Sequence, residues 1–300
     1  MNDTTTKTNS RNPILVFFLS IFFSGFGQMY NGQLKKGIVF LLISFIYPIL
    51  YGFTRIGVSF TGFFAIVIID FAFRFYVIYD AVKNARKLKT YTLKPYNTWY
   101  YYAIYIVTTS VLFWYYDYNK IVGVQSYLIP SAGNEPTVKL GDRVVADLRA
   151  FNNTEPDYGD IVIFKKKDSL NPWIYRIVAL PNDNVEIRHG SLIINGRKCK
   201  TRFIKETKSE EFDVYEHEEE LPNGHKHKIY TFKTPFEEDK SAINKVTVPS
   251  NGYFLLGDNR DNAVDSRYIG VIYKDELMGK LVFSFLGKTN DRIHIDFRDQ

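Results

Sequence analysis

The apolar residues of this chain are crowded into its first 118 positions, and that crowding limits the fold more than any other feature. Four stretches, 13–30, 37–53, 57–79 and 99–118, approach the about 20 residues needed to cross a hydrocarbon core. Stretches of this kind are read as an α-helical membrane region of about four spans. The first is short and broken by glycines, so it reads either as a tilted span or as a re-entrant hairpin with the second.

Charge follows the same division. The first 118 residues carry 11 Lys and Arg against 4 Asp and Glu, so the net charge of +6 splits into +7 from that part and −1 from the rest. The basic excess flanks apolar segments and forms no basic patch on a soluble face, which removes nucleic acid as a partner. Lys83, Arg86, Lys87, Lys89 and Lys94 fill the loop between the third and fourth stretches, and Lys35 and Lys36 the loop between the first and second. Both loops are expected in the cytoplasm. Everything after Tyr118 then lies outside, and so does the N-terminus, with Lys7 and Arg11 arguing weakly the other way. The expected place is the plasma (cytoplasmic) membrane, crossed several times. Asp70 and Arg74 sit four apart within the third stretch, where a helix puts them on one face as a neutralising pair. The run Gly27 to Gly37 reads as a tight interfacial turn and resembles small two-helix modules of bacterial membrane proteins, which names no activity.

From Gly123 onward the pattern changes to short β-branched runs punctuated by Gly, Pro, Asn and Asp, near 143–146, 160–164, 173–180, 184–187, 191–194, 245–248, 253–256 and 281–285. This spacing predicts a β-rich domain, with 192–194 as the central strand of a meander. The expected organisation is a tail over 1–12, a multi-span module over 13–82, a basic loop over 83–98, a last span over 99–118 and a β domain over 119–300. Residues 201–244 are charged and broken by Pro222, Gly224 and Pro235, and read as an exposed insertion in the form of a ribbon. His217, His225 and His227 within it lack the tight spacing of a metal site, and no metal or cofactor is expected. Cys199 is the only cysteine, which excludes an intrachain disulfide.

Three ordered blocks carry a family resemblance. They are Val124 to Thr137 with Gly141-Asp142; Gly159 to Phe164 with Trp173 to Asp183; and Gly257-Asp-Asn-Arg-Asp-Asn-Ala-Val-Asp-Ser-Arg-Tyr268 with Gly279-Lys280. The chain resembles the type I signal peptidases, membrane-anchored serine endopeptidases that remove signal peptides from exported proteins, and the resemblance implies an extracytoplasmic β domain of their type. In that family the first block reads Pro-Ser-x-Ser-Met-x-Pro-Thr, its second Ser the nucleophile, and a Lys in Ile-Lys-Arg the base. A serine hydroxyl attacks only when a neighbour takes its proton, a task that suits a lysine of lowered pKa.

Here the nucleophile's place falls on Gly133 and the base's on Tyr175, a phenol with a reference pKa near 10. Ala263 replaces the Ser that orients the lysine. The resemblance further implies that Ser131 supplies a hydroxyl to the oxyanion; that Ile129, Pro130, Asn134, Val138, Trp173 and Ile174 line the substrate groove; and that Arg176 with Asp258, and Asp265 with Arg267, form structural ion pairs. Asn134 stands where the family keeps Met. The expected function is a non-catalytic relative that binds exported proteins or signal peptides, or partners a catalytic signal peptidase. Two alternatives remain open: an active peptidase with Ser131 as nucleophile and a base such as Lys139 or Lys165, and a membrane transport or lipid-binding role resting on the spans and the Asp70/Arg74 pair.

Overall fold

The structure, a computed structural model, describes residues 8–234 and 243–298; Lys7 and Pro235 lie outside them. The chain divides into two units, 1–123 and 124–300.

The first unit runs β1 (Thr8–Asn9), α1 (Pro13–Phe22), α2 (Phe26–Tyr30), α3 (Leu34–Thr54), α4 (Phe60–Lys87), β2 (Tyr91–Thr92), α5 (Trp99–Tyr115) and α6 (Tyr118–Val122). Among the described residues, α3 and α4 are long and apolar enough to cross a membrane, by length and composition. These are two of the four expected spans; α1 has 10 residues, and α5, with 17, sits at the lower limit of a crossing helix. The basic loop is also shorter at its start, because α4 stays helical through Lys87.

The first apolar stretch reverses on itself. Asn12 caps α1, its side chain accepting from the amides of Ile14 and Leu15 at 2.9 and 3.3 Å, which satisfies donors that a helix start leaves open. Gly25 then turns the chain at φ +86°, where a Cβ would stand 2.1 Å from the Gly37 carbonyl oxygen, so only glycine fits. α2 returns along α4: Gln28 Nε2 donates to the Val77 carbonyl and Asn31 Nδ2 to that of Ala81, each at 2.8 Å. The entry to α1 is fastened at the same end. The Arg11 amide donates to the Leu88 carbonyl at 3.1 Å, Thr8–Asn9 pairs with Tyr91–Thr92, and the Arg11 guanidinium lies 4.3 Å from the ring centres of both Tyr30 and Tyr91. Residues 8–12 and the basic loop thus share one end of the helical unit, against the expectation that put them on opposite sides. Charge counting missed this because a burial between two aromatic rings, not a loop charge, places Arg11.

Two acidic residues of α4 are paired. Asp70 meets Arg74 at 3.0 Å and accepts from the Tyr47 hydroxyl, and Asp80 meets Lys36 at 2.6 Å.

The second unit is β-rich. Its strands are β3 (Val124–Leu128), β4 (Arg143–Asp147), β5 (Ile161–Phe164), β6 (Trp173–Ala179), β7 (Asn184–Arg188), β8 (Ser191–Ile194), β9 (Arg197–Lys198), β10 (Lys200–Ser209), β11 (Phe212–Glu220), β12 (Lys226–Phe232), β13 (Ile243–Thr247), β14 (Gly252–Leu256), β15 (Ile272–Tyr273) and β16 (Leu277–Leu286), with a short helix α7 (Ser266–Ile269). The main sheet is antiparallel in the order β15-β14-β6-β5-β16-β4-β3, a second sheet runs β13-β7-β8-β9, and β10-β11-β12 form a ribbon.

The main sheet is covered on both faces, which is why its central strands read as unbroken apolar runs. Alternation still sorts them. Ile161 and Ile163 pack with Val144, Ala146, Leu281 and Phe297, while Val162 and Phe164 pack with Tyr175, Ile177, Leu255 and Ala263. The 201–244 insertion is less exposed than its charge suggests. Ser209, Glu216, Glu219 and His227 are buried, because β12 joins the loop after β14: the Tyr230 amide donates to the Asp258 carbonyl at 2.8 Å, and the Arg260 amide to the Tyr230 carbonyl at 2.9 Å.

Candidate functional site

Three segments converge in the second unit: the loop 129–137 after β3, the start of β6, and the loop 257–265 after β14. Asn259 ties the first to the third, its amide donating to the Gly133 carbonyl at 3.1 Å and its Nδ2 to the Ala132 carbonyl at 3.2 Å. The same Nδ2 reaches Ser209 Oγ at 3.1 Å, and Ser209 donates to Glu135 Oε2 at 2.5 Å. The turn of the ribbon therefore braces the 129–137 loop. Sequence reasoning missed Asn259, Ser209 and Glu135; Asn259 and Glu135 lie inside the third and first blocks, and Ser209 offered no signal.

Gly133 and Tyr175 face each other. A Cβ at position 133 would lie 3.7 Å from the Tyr175 hydroxyl oxygen and 3.4 Å from the Asn262 carbonyl oxygen, ordinary contacts, and the backbone there has no positive φ. Neither space nor conformation demands glycine at 133. At Gly257 the reverse holds, since a Cβ would stand 2.4 Å from Ala263 Cβ and 2.5 Å from the Gly133 carbonyl oxygen. Tyr175 is buried among Val162, Phe164, Tyr253 and Ala263. Burial, and secondarily the Asp265 carboxylate, push its phenol further above the ordinary value, against a hydrogen bond from the Val264 amide. It is held protonated.

Ser131 and Pro130 are exposed on the loop. Ile129 and Val138 are buried beneath it, with Ile174 packed against them, and Trp173 is half-buried beside Phe164 and Tyr175. Asn134 is buried, and its side-chain amide donates to the Ile174 carbonyl.

Two ion pairs frame the convergence. Arg176 is fully buried; Nε and Nη2 donate to the two Asp258 oxygens at 2.8 Å each, and Nη1 donates to the Gly159 carbonyl at 2.8 Å. This planar, bidentate geometry suits arginine and not lysine. Asp265 receives Arg267 Nε and Nη2 at 2.8 Å each, accepts from the Gly257 amide at 2.9 Å and caps α7. A third pair, Asp142 with Arg292 at 2.5 Å, holds the far side of the loop, where Arg292 Nη2 also donates to the Thr137 carbonyl at 2.7 Å.

The ribbon adds buried charge behind Asp258. Arg260 pairs with Glu219, and His227 stands 3.5 Å from Glu219 and 3.9 Å from Asp258. Burial, with Arg176, Arg260 and His225 nearby, holds His227 well below the ordinary histidine value, hence neutral. Among the described residues no cluster of His, Cys, Asp and Glu could hold a metal ion.

The converging segments fall within residues 100–286, which match the family described as "Signal peptidase, peptidase S26". Among known relatives, a probable signal peptidase I-2 of Synechocystis is 26% identical over 202 residues, 64% of this chain and 75% of the relative. Signal peptidase I of Aquifex aeolicus is 31% identical over 199 residues, 55% and 77% respectively, and signal peptidase IB of Staphylococcus aureus is 28% identical over 165 residues, 54% and 78%. A crystal structure of a signal peptidase I from Enterococcus faecalis covers 43% of this chain and 98% of its own, at 24% identity and a TM-score of 0.27. The three converging segments and the sheet that carries them thus lie inside a matched region spanning more than half of the sequence, and the chain belongs to the signal peptidase family.

Proposed function

We propose that this protein is a non-catalytic signal peptidase relative, anchored in the plasma membrane by its N-terminal helices, that binds extended segments of exported proteins or partners an active peptidase. The observation that carries the proposal is the facing of Gly133 and Tyr175. They occupy the family's nucleophile and base positions by resemblance and stand within contact distance, yet one has no side chain and the other is a buried phenol held protonated. A general base must be able to take a proton near neutral pH, and Tyr175 is set against it. Ala263, at the position of the family's orienting Ser, packs on the Tyr175 ring instead. With residues 8–12 and the loop 83–98 in the cytoplasm and α5 as the last crossing, the β domain lies outside, and Arg11 and the basic residues of the loop then sit on the expected side.

The test is cleavage of a model preprotein by the purified, detergent-solubilised full-length protein, beside Ser131→Ala. No cleavage by either is expected. Robust cleavage by the wild type refutes the proposal, and its loss in Ser131→Ala identifies a relocated nucleophile.

A further inference from the structure

The start of β6 has a free edge. Ile177 directs its amide and carbonyl to the β5 side, bonding Asp160 and Gly159 at 2.9 Å each. Peptide groups alternate along a strand, so Tyr175 and Trp173 also point to β5, and Ile174 points the other way. On that other side the partner strand stops early: the last β14 pairing is Leu256 with Arg176. Ile174 therefore presents its amide and carbonyl to the groove with no strand beside them. An edge of this kind takes up extended peptides by adding a strand.

The carbonyl of that edge is already engaged. Asn134, on the loop across the groove, donates its side-chain amide to the Ile174 oxygen, and it is buried in doing so. Its position is fixed from behind, because the neighbouring Gly133 carbonyl accepts from the Asn259 amide and Glu135 is held by Ser209. A thioether at this place, as in the family pattern, has no N–H to give.

We infer that Asn134 is a latch on the free edge of β6: its amide stands in for the backbone N–H of a bound peptide, and a ligand enters only by displacing it. The inference rests on the proposed binding of extended segments and adds how that binding is regulated and selected. A competent ligand must bring its own N–H to the Ile174 carbonyl, so a proline at that register is excluded. The latch lowers affinity by what one intramolecular hydrogen bond is worth, and its removal tightens binding by roughly three- to tenfold.

The test uses full-length protein in detergent and a fluorescent ten-residue, alanine-rich peptide ending in Ala-x-Ala, with affinity read by anisotropy. Asn134→Ala and Asn134→Leu are compared with the wild type, Leu retaining volume without a donor so that the comparison survives if the Ala variant folds poorly. Tighter binding by both variants, lost for one peptide of a single-proline scan, is the expected result. Equal affinity for wild type and both variants overturns the latch and leaves peptide binding standing. No binding by any form overturns the proposed function and the latch with it.

Discussion

Removing Asp258 tests whether the buried pair at the site holds this domain together. Arg176 and Asp258 are 0% and 2% exposed, so in Asp258→Ala the guanidinium loses both of its 2.8 Å charge-assisted bonds without gaining water. Gly159 and Thr137 still accept from it, at 2.8 and 3.3 Å, but both are neutral. Breaking one partner of a buried pair costs about 3–5 kcal/mol because the survivor is left uncompensated. At about 2–4 °C per kcal/mol for a domain of this size, Tm falls by roughly 6–20 °C. Thermal unfolding of the full-length protein in detergent, followed by protease cleavage within the β domain, reads this out. An Arg176→Met/Asp258→Leu double variant should lose far less than the sum of its single changes, since the stranded charge is gone. A shift below about 2 °C for Asp258→Ala, or full additivity in the cycle, would refute the reasoning.

Histidine 227 gives a pH signature. Its folded pKa is depressed below the unfolded value near 6.5, so below that pH the unfolded chain binds the extra proton and stability falls by up to about 1.4 kcal/mol per pH unit. It is complete above pH 6.5, and His227→Gln should flatten the loss seen by denaturant titration between pH 5 and 7. Gly257→Ala forces a Cβ to within 2.4 Å of Ala263 and 2.5 Å of the Gly133 carbonyl; overpacking of about 1–3 kcal/mol should appear in the same melts and be absent for Gly190→Ala, where a Cβ would meet nothing within 4 Å and only the positive φ is strained. Because a Cβ at 133 makes only ordinary contacts, Gly133→Ser/Tyr175→Lys should fold and gain preprotein cleavage. A folded double variant that stays inactive means that more than the two side chains separates this groove from that of its catalytic relatives.

Much of the site was legible because it is built from contiguous blocks. The turns and strands of 129–137, 173–176 and 257–268 carry their residues at fixed spacing, and Tyr175 follows from the alternation that places it beside Val162 and Ala263. What was not legible crosses the chain. Ser209 lies in a segment whose charge marks it as exposed, yet it reaches Glu135, 74 residues away. Arg292 meets Asp142 across 150 residues, and no local pattern foretells either contact. His227 looked solvated in its polar stretch and is buried because β12 bonds to the 258–260 backbone.

The sequence by itself determined the two-part layout, since hydropathy, charge and β-branched runs are local properties that act wherever the chain goes, and it determined which side chains are absent at 133 and 175. Tertiary structure alone decided the rest. It turned the first apolar stretch back on itself, because a glycine packed on the Gly37 backbone and an arginine between two rings outweigh a charge count. It also set Asn134 against the Ile174 carbonyl, because the end of β14 leaves that edge open and hydrogen-bonding groups shielded from water must find partners within the fold.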